Sequence, residues 1–261
     1  MMDYQEFLES KKIIYKSTGL DISRDKLSPF LNQIICGDCL ESMKDIPDMS
    51  VDLVLTDPPY GIDFQSAWRI DKTQWKPKIA NDKEPFVDWI PNAFRITKDN
   101  GCLLCFCRWD VQERFKQAIE KAGFEIKSQI IWDKVIHGMG DLKASFAPQH
   151  EVIWFATKGD FIFPNMRPST ILRFKRVDAE KLIHPNEKPI ELIEYLISVT
   201  TKPNDVVADF FMGSGVTAEA SCILDRNFIG TELEGKYCDI ARQRLEQAQA
   251  QGTLFGGDAP C

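Results

Sequence analysis

Val51-Asp52-Leu53-Val54-Leu55-Thr56-Asp57-Pro58-Pro59-Tyr60 joins an apolar run to a rigid, acceptor-rich rim. The run reads as a strand, and the strand ends in an acid, two prolines and an aromatic. Neither proline offers an N–H and each ring fixes φ, so the Asp57 carboxylate and the Pro58 carbonyl are held still. Two fixed acceptors beside an exposed aromatic face, Tyr60, suit a planar group bearing an NH₂, such as adenine or cytosine. Taken alone, the tetrapeptide fits a proline-terminated strand with a capping Asp equally well.

Outward from this segment, short apolar runs alternate with helical patterns. Strands are predicted at 33–36, 51–56, 101–107, 127–132, 151–156, 205–210 and 227–231, and helices near 86–96, 111–121, 189–200, 216–224 and 234–247. In the last helix Tyr237, Ile240, Ala241 and Leu245 share one face. Such alternation predicts an α/β fold: a mainly parallel, doubly wound sheet covered on both faces, with ligands at the carboxyl ends of its strands. The stretch 61–85 interrupts the alternation and interleaves Phe64, Trp68 and Trp75 with Arg69, Lys72, Lys76 and Lys78. A lid, a DNA-facing loop and a surface insertion all fit it.

A chain of 261 residues accommodates one large domain with a small appendage. Hydrophobic residues make up 44% and charged residues 27%, the balance of a globular protein without membrane spans. No apolar segment in the first thirty residues follows a basic start, so a cytoplasmic location is expected. The net charge of −7 argues weakly against a nucleic-acid partner, but its distribution is uneven. Residues 127–184 carry nine Lys and Arg against six Asp and Glu, net +3, which leaves −10 elsewhere. Arg167, Arg173, Lys175, Arg176 and Lys181 form either a solvated basic loop or a local phosphate-contacting patch. Of the eight cysteines, Cys36 with Cys39 and Cys102 with Cys105 have the spacing of zinc half-knuckles. However, Cys102, Cys105 and Cys107 lie in a strand, where 102 and 105 point to opposite faces. Reduced, buried thiols and no metal are therefore expected.

The second constellation is Asp209-Phe210-Phe211-Met212-Gly213-Ser214-Gly215, between a strand and a helix. Its glycines let backbone approach a ligand, and the helix start offers free N–H groups to a carboxylate. About twenty residues later a strand ends at Glu232, placed to accept from both hydroxyls of a ribose. The turn lacks the second spacing of G-x-G-x-x-G, which favours an amino-acid-bearing nucleoside over a dinucleotide.

Four motifs now stand in one chain: Asp57-Pro58-Pro59-Tyr60; His184-Pro185-Asn186-Glu187-Lys188-Pro189; the 209–215 turn; and Gly230-Thr231-Glu232-Leu233 followed by Tyr237, Ala241, Arg244 and Leu245. From about Ile34 to Leu245 the chain resembles the S-adenosylmethionine-dependent DNA amino methyltransferases. The tetrapeptide precedes the glycines, the order of that family's β group. The resemblance implies a seven-stranded Rossmann-like sheet with a small target-recognition insertion. A methyltransferase domain would span 31–245, with recognition within 160–183, an N-terminal extension at 1–30 and a flexible tail at 246–261. It implies methyl transfer from S-adenosylmethionine to N6 of an adenine flipped out of double-stranded DNA. Asp57, Pro58 and Tyr60 would hold the base. Asp209, Phe211, Gly213, Ser214 and Gly215 would line the methionine end of the cofactor, Glu232 the ribose and Asp38 the adenine, with Lys188 near the methionine carboxylate. Arg173, Lys175 and Arg176 are the candidate DNA contacts. Phe210 replaces a usual Pro and Val216 a frequent Thr, which implies altered affinity rather than lost activity.

N4 methylation of cytosine and a catalytically silent DNA-binding module are the rivals. Asp rather than Ser before Pro-Pro-Tyr leans towards adenine. Gln251, Leu254 and Phe255 in the tail resemble the short peptide by which DNA-processing proteins dock on a sliding clamp, with a solvated tail as the alternative. Tyr4, Phe7 and Leu8 form a short amphipathic pattern compatible with a homodimer contact.

Overall fold

The computed structural model describes residues 26–61, 84–138, 143–165, 167–178, 180, 182–184 and 186–254. The aromatic and basic stretch expected between 61 and 85, the amphipathic pattern at 4–8 and Phe255 fall outside these residues, apart from the edges of the first.

Eight strands form one sheet: β1 (Gln33–Cys36), β2 (Val51–Thr56), β3 (Thr97–Cys107), β4 (Glu125–Asp133), β5 (His150–Thr157), β6 (Ile171–Arg173), β7 (Val206–Asp209) and β8 (Asn227–Glu232). Their order is β1-β8-β7-β2-β3-β5-β4-β6. Only β5 opposes its neighbours; every other pairing is parallel. All seven predicted strands are present. The expected count of seven becomes eight because β6 arises inside the proposed recognition segment and pairs with β4. Three residues in a stretch without alternating apolarity left no strand signal there.

Helices α1 (Cys39–Asp45), α2 (Ile90–Ile96), α3 (Gln112–Ala122), α4 (Ile190–Thr200), α5 (Val216–Ile223) and α6 (Gly235–Leu254) flank the sheet. Helix α1 was not anticipated; Asp38 caps it, accepting from Leu40 N at 2.7 Å. One core packs Met43, Ile90, Phe115 and Ile119 against Leu103, Cys105 and Cys107 of β3. The other packs Leu192, Leu196 and Ala220 against Cys102, Leu104 and Phe106. Side chains of successive strand residues point to opposite faces, so β3 feeds both cores and Cys102 and Cys105 are separated as expected. Ile34, Met212, Ala218, Phe228 and Ala241 fill a third cluster beneath α6.

Cys39, Cys102, Cys105 and Cys107 are free and buried, and burial pushes the Cys39 thiol up to about 12. The expectation of reduced thiols is corrected for one pair: Cys36 is disulfide-bonded to Cys238. The pairing of β1 with β8 brings the end of β1 to the first turns of α6, across 202 residues of sequence. Among the described residues no group of three His, Cys, Asp or Glu is placed to hold a metal. Nor is any described helix long and apolar enough to cross a membrane.

Candidate active site

The carboxyl ends of β2, β7 and β8 open onto one cleft of about 1330 Å³, continuous with solvent. Its lining brings together Asp57, Pro58, Tyr60, Asp38, Lys188, Asp209, Phe211, Gly213, Ser214 and Glu232. Asp38 and Glu232, 194 positions apart in sequence, converge here because parallel strands end on the same edge.

At the β2 end, Asp57 Oδ1 accepts the Tyr60 hydroxyl and Oδ2 accepts Lys188 Nζ at 2.5 Å. Lys188 Nζ also lies 3.1 Å from Glu151 Oε2, while Glu151 Oε1 pairs with Lys134 Nζ at 2.5 Å. At 3.1 Å the Lys188–Glu151 contact is an ion pair, and among the described residues Glu151 Oε2 accepts no hydrogen bond of good geometry. Burial lifts the Asp57 carboxyl above its ordinary range, and the Lys188 cation only partly offsets this. Burial also raises Glu151, but Lys188 and Lys134 prevail and hold it below its ordinary value. The two carboxylates outweigh desolvation at Lys188, whose ammonium is held charged.

One expectation changes. Tyr60 is not an exposed face: it is 7% exposed, packs edge-on against Phe115 and turns its hydroxyl onto Asp57. A buried carboxylate needs donors, and Tyr60 is one residue past the rigid prolines. Lys188, expected near the cofactor's carboxylate, lines the same cleft with its ammonium on Asp57.

At the β7 end, Asp209 is buried and accepts from Thr56 Oγ1 at 2.8 Å, Phe211 N at 3.1 Å and Thr217 Oγ1 at 2.6 Å. Burial raises it to about 6 despite these donors. Among the described residues no cation pairs with it, so a ligand carrying an ammonium fits this end of the cleft. Glu232 accepts from Gly213 N at 2.8 Å and Glu234 N at 2.9 Å. Gly213 at φ +54° lines the cleft under His184. Gly215 serves packing instead: at φ +86°, a Cβ there would lie 2.7 Å from Ala241 Cβ, so the glycine admits α6 rather than a ligand. The donors, glycine turn and acid at the β8 end together suit a nucleoside with an amino-acid tail.

The candidate DNA contacts end β6 and follow it, on the same rim. Arg173 lies 3.6 Å from Asp133, Lys175 pairs with Asp178 at 2.9 Å, and both remain more than half exposed. Residues missed from sequence include Thr56 and Thr217, which hold Asp209, Phe106 on the cleft wall, and Glu151. The signal for Glu151 was an acid opening the apolar run 151–156, which is unremarkable without knowing where that strand begins in space.

Residues 51–243 match the family model described as DNA methylase. The chain belongs to that DNA methylase family. The methylase is 32% identical over 224 residues to YubD of Escherichia coli (strain K12), covering 84% of this chain and 92% of that protein. To M.HinfI, a type II methyltransferase of Haemophilus influenzae, it is 30% identical over 258 residues, covering 86% and 71%. Among solved structures, M1.HpyAVI in complex with SAM aligns with a TM-score of 0.63 at 29% identity, over 82% of the methylase and 99% of that chain.

Proposed function

We propose that this DNA methyltransferase transfers the methyl group of S-adenosylmethionine to N6 of an adenine rotated out of duplex DNA. The observation that carries this reading is the shared cleft: fixed amine acceptors at the end of β2 and nucleoside acceptors at the ends of β7 and β8 open onto the same space. The bound cofactor supplies an electrophilic sulfonium methyl group. The protein's part is positioning and charge placement.

An amine inside a duplex is inaccessible, so the base must leave the stack to reach Asp57. Asp57 and the Pro58 carbonyl accept from the NH₂, which favours a pyramidal nitrogen with its lone pair aimed at the methyl. As the new C–N bond forms and the methyl's bond to the sulfonium sulfur breaks, leaving a neutral thioether, the nitrogen would become cationic and shed a proton. Asp57, lifted by burial, is the acceptor at hand. Tyr60 fixes that carboxylate and walls the base. Asp209 faces the cofactor's ammonium and Glu232 its ribose hydroxyls, while Asp38 and Phe211 flank the adenine and methionine ends. Arg173, Lys175 and Arg176 lie beside the DNA backbone. Asp at position 57, rather than Ser, supports adenine over cytosine.

The test incubates the protein with S-adenosylmethionine and unmethylated DNA, then analyses nucleosides by mass spectrometry. N6-methyladenine is expected from the native protein. Asp57→Ala should yield none while still binding cofactor. N4-methylcytosine would keep the mechanism and overturn the base; turnover by Asp57→Ala would overturn the catalytic assignment.

A further inference from the structure

Both oxygens of Asp57 are already taken, Oδ1 by Tyr60 and Oδ2 by Lys188. An ammonium carries three donors and no acceptor. A carboxylate oxygen has two lone pairs, so Oδ2 can still accept an amine, but only by sharing that oxygen with an ammonium at 2.5 Å; Asp57 serves the amine best when Lys188 draws back. Water offers no retreat: Lys188 is 8% exposed, its Nζ lying 5.0 Å from the Phe106 ring centroid and 6.0 Å from that of Trp132. Glu151 Oε2 does: it is buried, already in ion-pair contact at 3.1 Å and, among the described residues, accepts no hydrogen bond of good geometry.

Resting on the reading of Asp57 as the amine acceptor, we propose that Glu151 is a positioning residue for methyl transfer: it is the second seat of the Lys188 ammonium, which occupies Asp57 in the empty pocket and moves to Glu151 Oε2 when the target amine arrives. Two carboxylates, Asp57 and Glu151, share two ammoniums, Lys188 and Lys134, so the cluster stays neutral in either seat; in the second seat Asp57 keeps the Tyr60 hydroxyl and gains the target amine as donors. Lys134 stays on Glu151 Oε1 throughout, which keeps Oε2 directed at Lys188. The remaining titratable groups facing Asp57 are the Tyr60 hydroxyl, the Cys105 and Cys107 thiols of β3 and the Asp209 carboxyl of β7. The thiols and the phenol are held neutral by burial.

Glu151→Gln keeps the shape and removes the second seat. Lys188 then stays on Asp57: kcat at pH 7.5 should fall about tenfold or more, with the S-adenosylmethionine Kd unchanged. The acidic limb of kcat against pH should shift down by about one unit, because Asp57 loses a repelling carboxylate and keeps its cation. Lys188→Met, which leaves Asp57 facing Glu151 alone, should shift that limb up, and this remains readable if Glu151→Gln does not fold. Glu151→Asp should recover most of the rate. A purely structural Glu151 would lower melting temperature and rate without moving the limb in opposite directions, and that result overturns the proposal. So does wild-type kcat in Glu151→Gln while Asp57→Ala is inactive. Turnover by Asp57→Ala would instead strike the underlying reading of Asp57.

Discussion

At the residue scale, Asp209 couples binding to stability. Its carboxyl is raised from the ordinary 3.8 to about 6, chiefly by burial. A raised carboxyl contributes stability that is complete below about pH 4 and is lost as pH rises through about 6. Asp209→Asn keeps the oxygen that accepts from Thr56 and Phe211, and the Thr217 hydroxyl can rotate to accept from the new amide. The variant should therefore be more stable than the native protein at pH 7.5, by on the order of 1–3 kcal/mol, with the difference vanishing near pH 4. Urea unfolding at both pH values measures this; equal stability at pH 7.5 would count against a charged, buried Asp209. The same variant should bind S-adenosylmethionine more weakly, since the ammonium loses its counter-charge. Asp209 was legible in sequence as a strand-terminal acid before a glycine turn. Its titration was not, because it depends on how completely Thr56, Thr217 and the strands around it exclude water.

At the element scale, α6 does more than cover the sheet. Arg244 reaches Glu187 at 2.5 Å, Glu219 at 3.5 Å and Ser214 Oγ at 3.5 Å. Glu187 in turn accepts from Ile183 N at 3.0 Å and His184 N at 3.3 Å, which folds the segment that delivers Lys188 to Asp57. Burial favours a neutral Glu187, but Arg244 outweighs it and keeps the carboxyl ionised. Arg244→Met leaves that anion without its cation, which should cost about 3 kcal/mol. Adding Glu187→Gln should recover a large part of the loss, and a double-mutant cycle on melting temperature or urea midpoints reads the coupling. Strict additivity would show that the pair does not act as a unit. The apolar periodicity of α6 was visible in Tyr237, Ile240, Ala241 and Leu245. The reach of Arg244 was not, since helix α6 meets residues 183–188 only after β8 has returned it to the cleft.

At the scale of the whole molecule, an acidic chain of net −7 carries its positive excess in residues 127–184. Arg173, Lys175 and Arg176 sit at the outer edge of the sheet, and carboxylates already partner two of them. Combining Arg173→Ala, Lys175→Ala and Arg176→Ala should weaken DNA binding and flatten its dependence on salt by a log–log slope of about 2–3. Cofactor affinity should not change. Titrations at several salt concentrations decide this, and an unaltered slope would place the phosphate contacts elsewhere. The alternating α/β plan, the seven principal strands, the order of the motifs and most of the charged and glycine residues at the two ends of the cleft were legible before folding. These follow from periodicity, glycine and proline chemistry and local spacing, which a chain carries before it folds. Nothing local announced that β5 runs against its neighbours. That reversal places Glu151, the second residue of its strand, at the rim where the parallel strands end, within reach of Lys188. Folding likewise set the Cys36–Cys238 pairing and the burial of Tyr60. Each depends on strand direction or on contacts across long stretches of chain, and local sequence encodes neither.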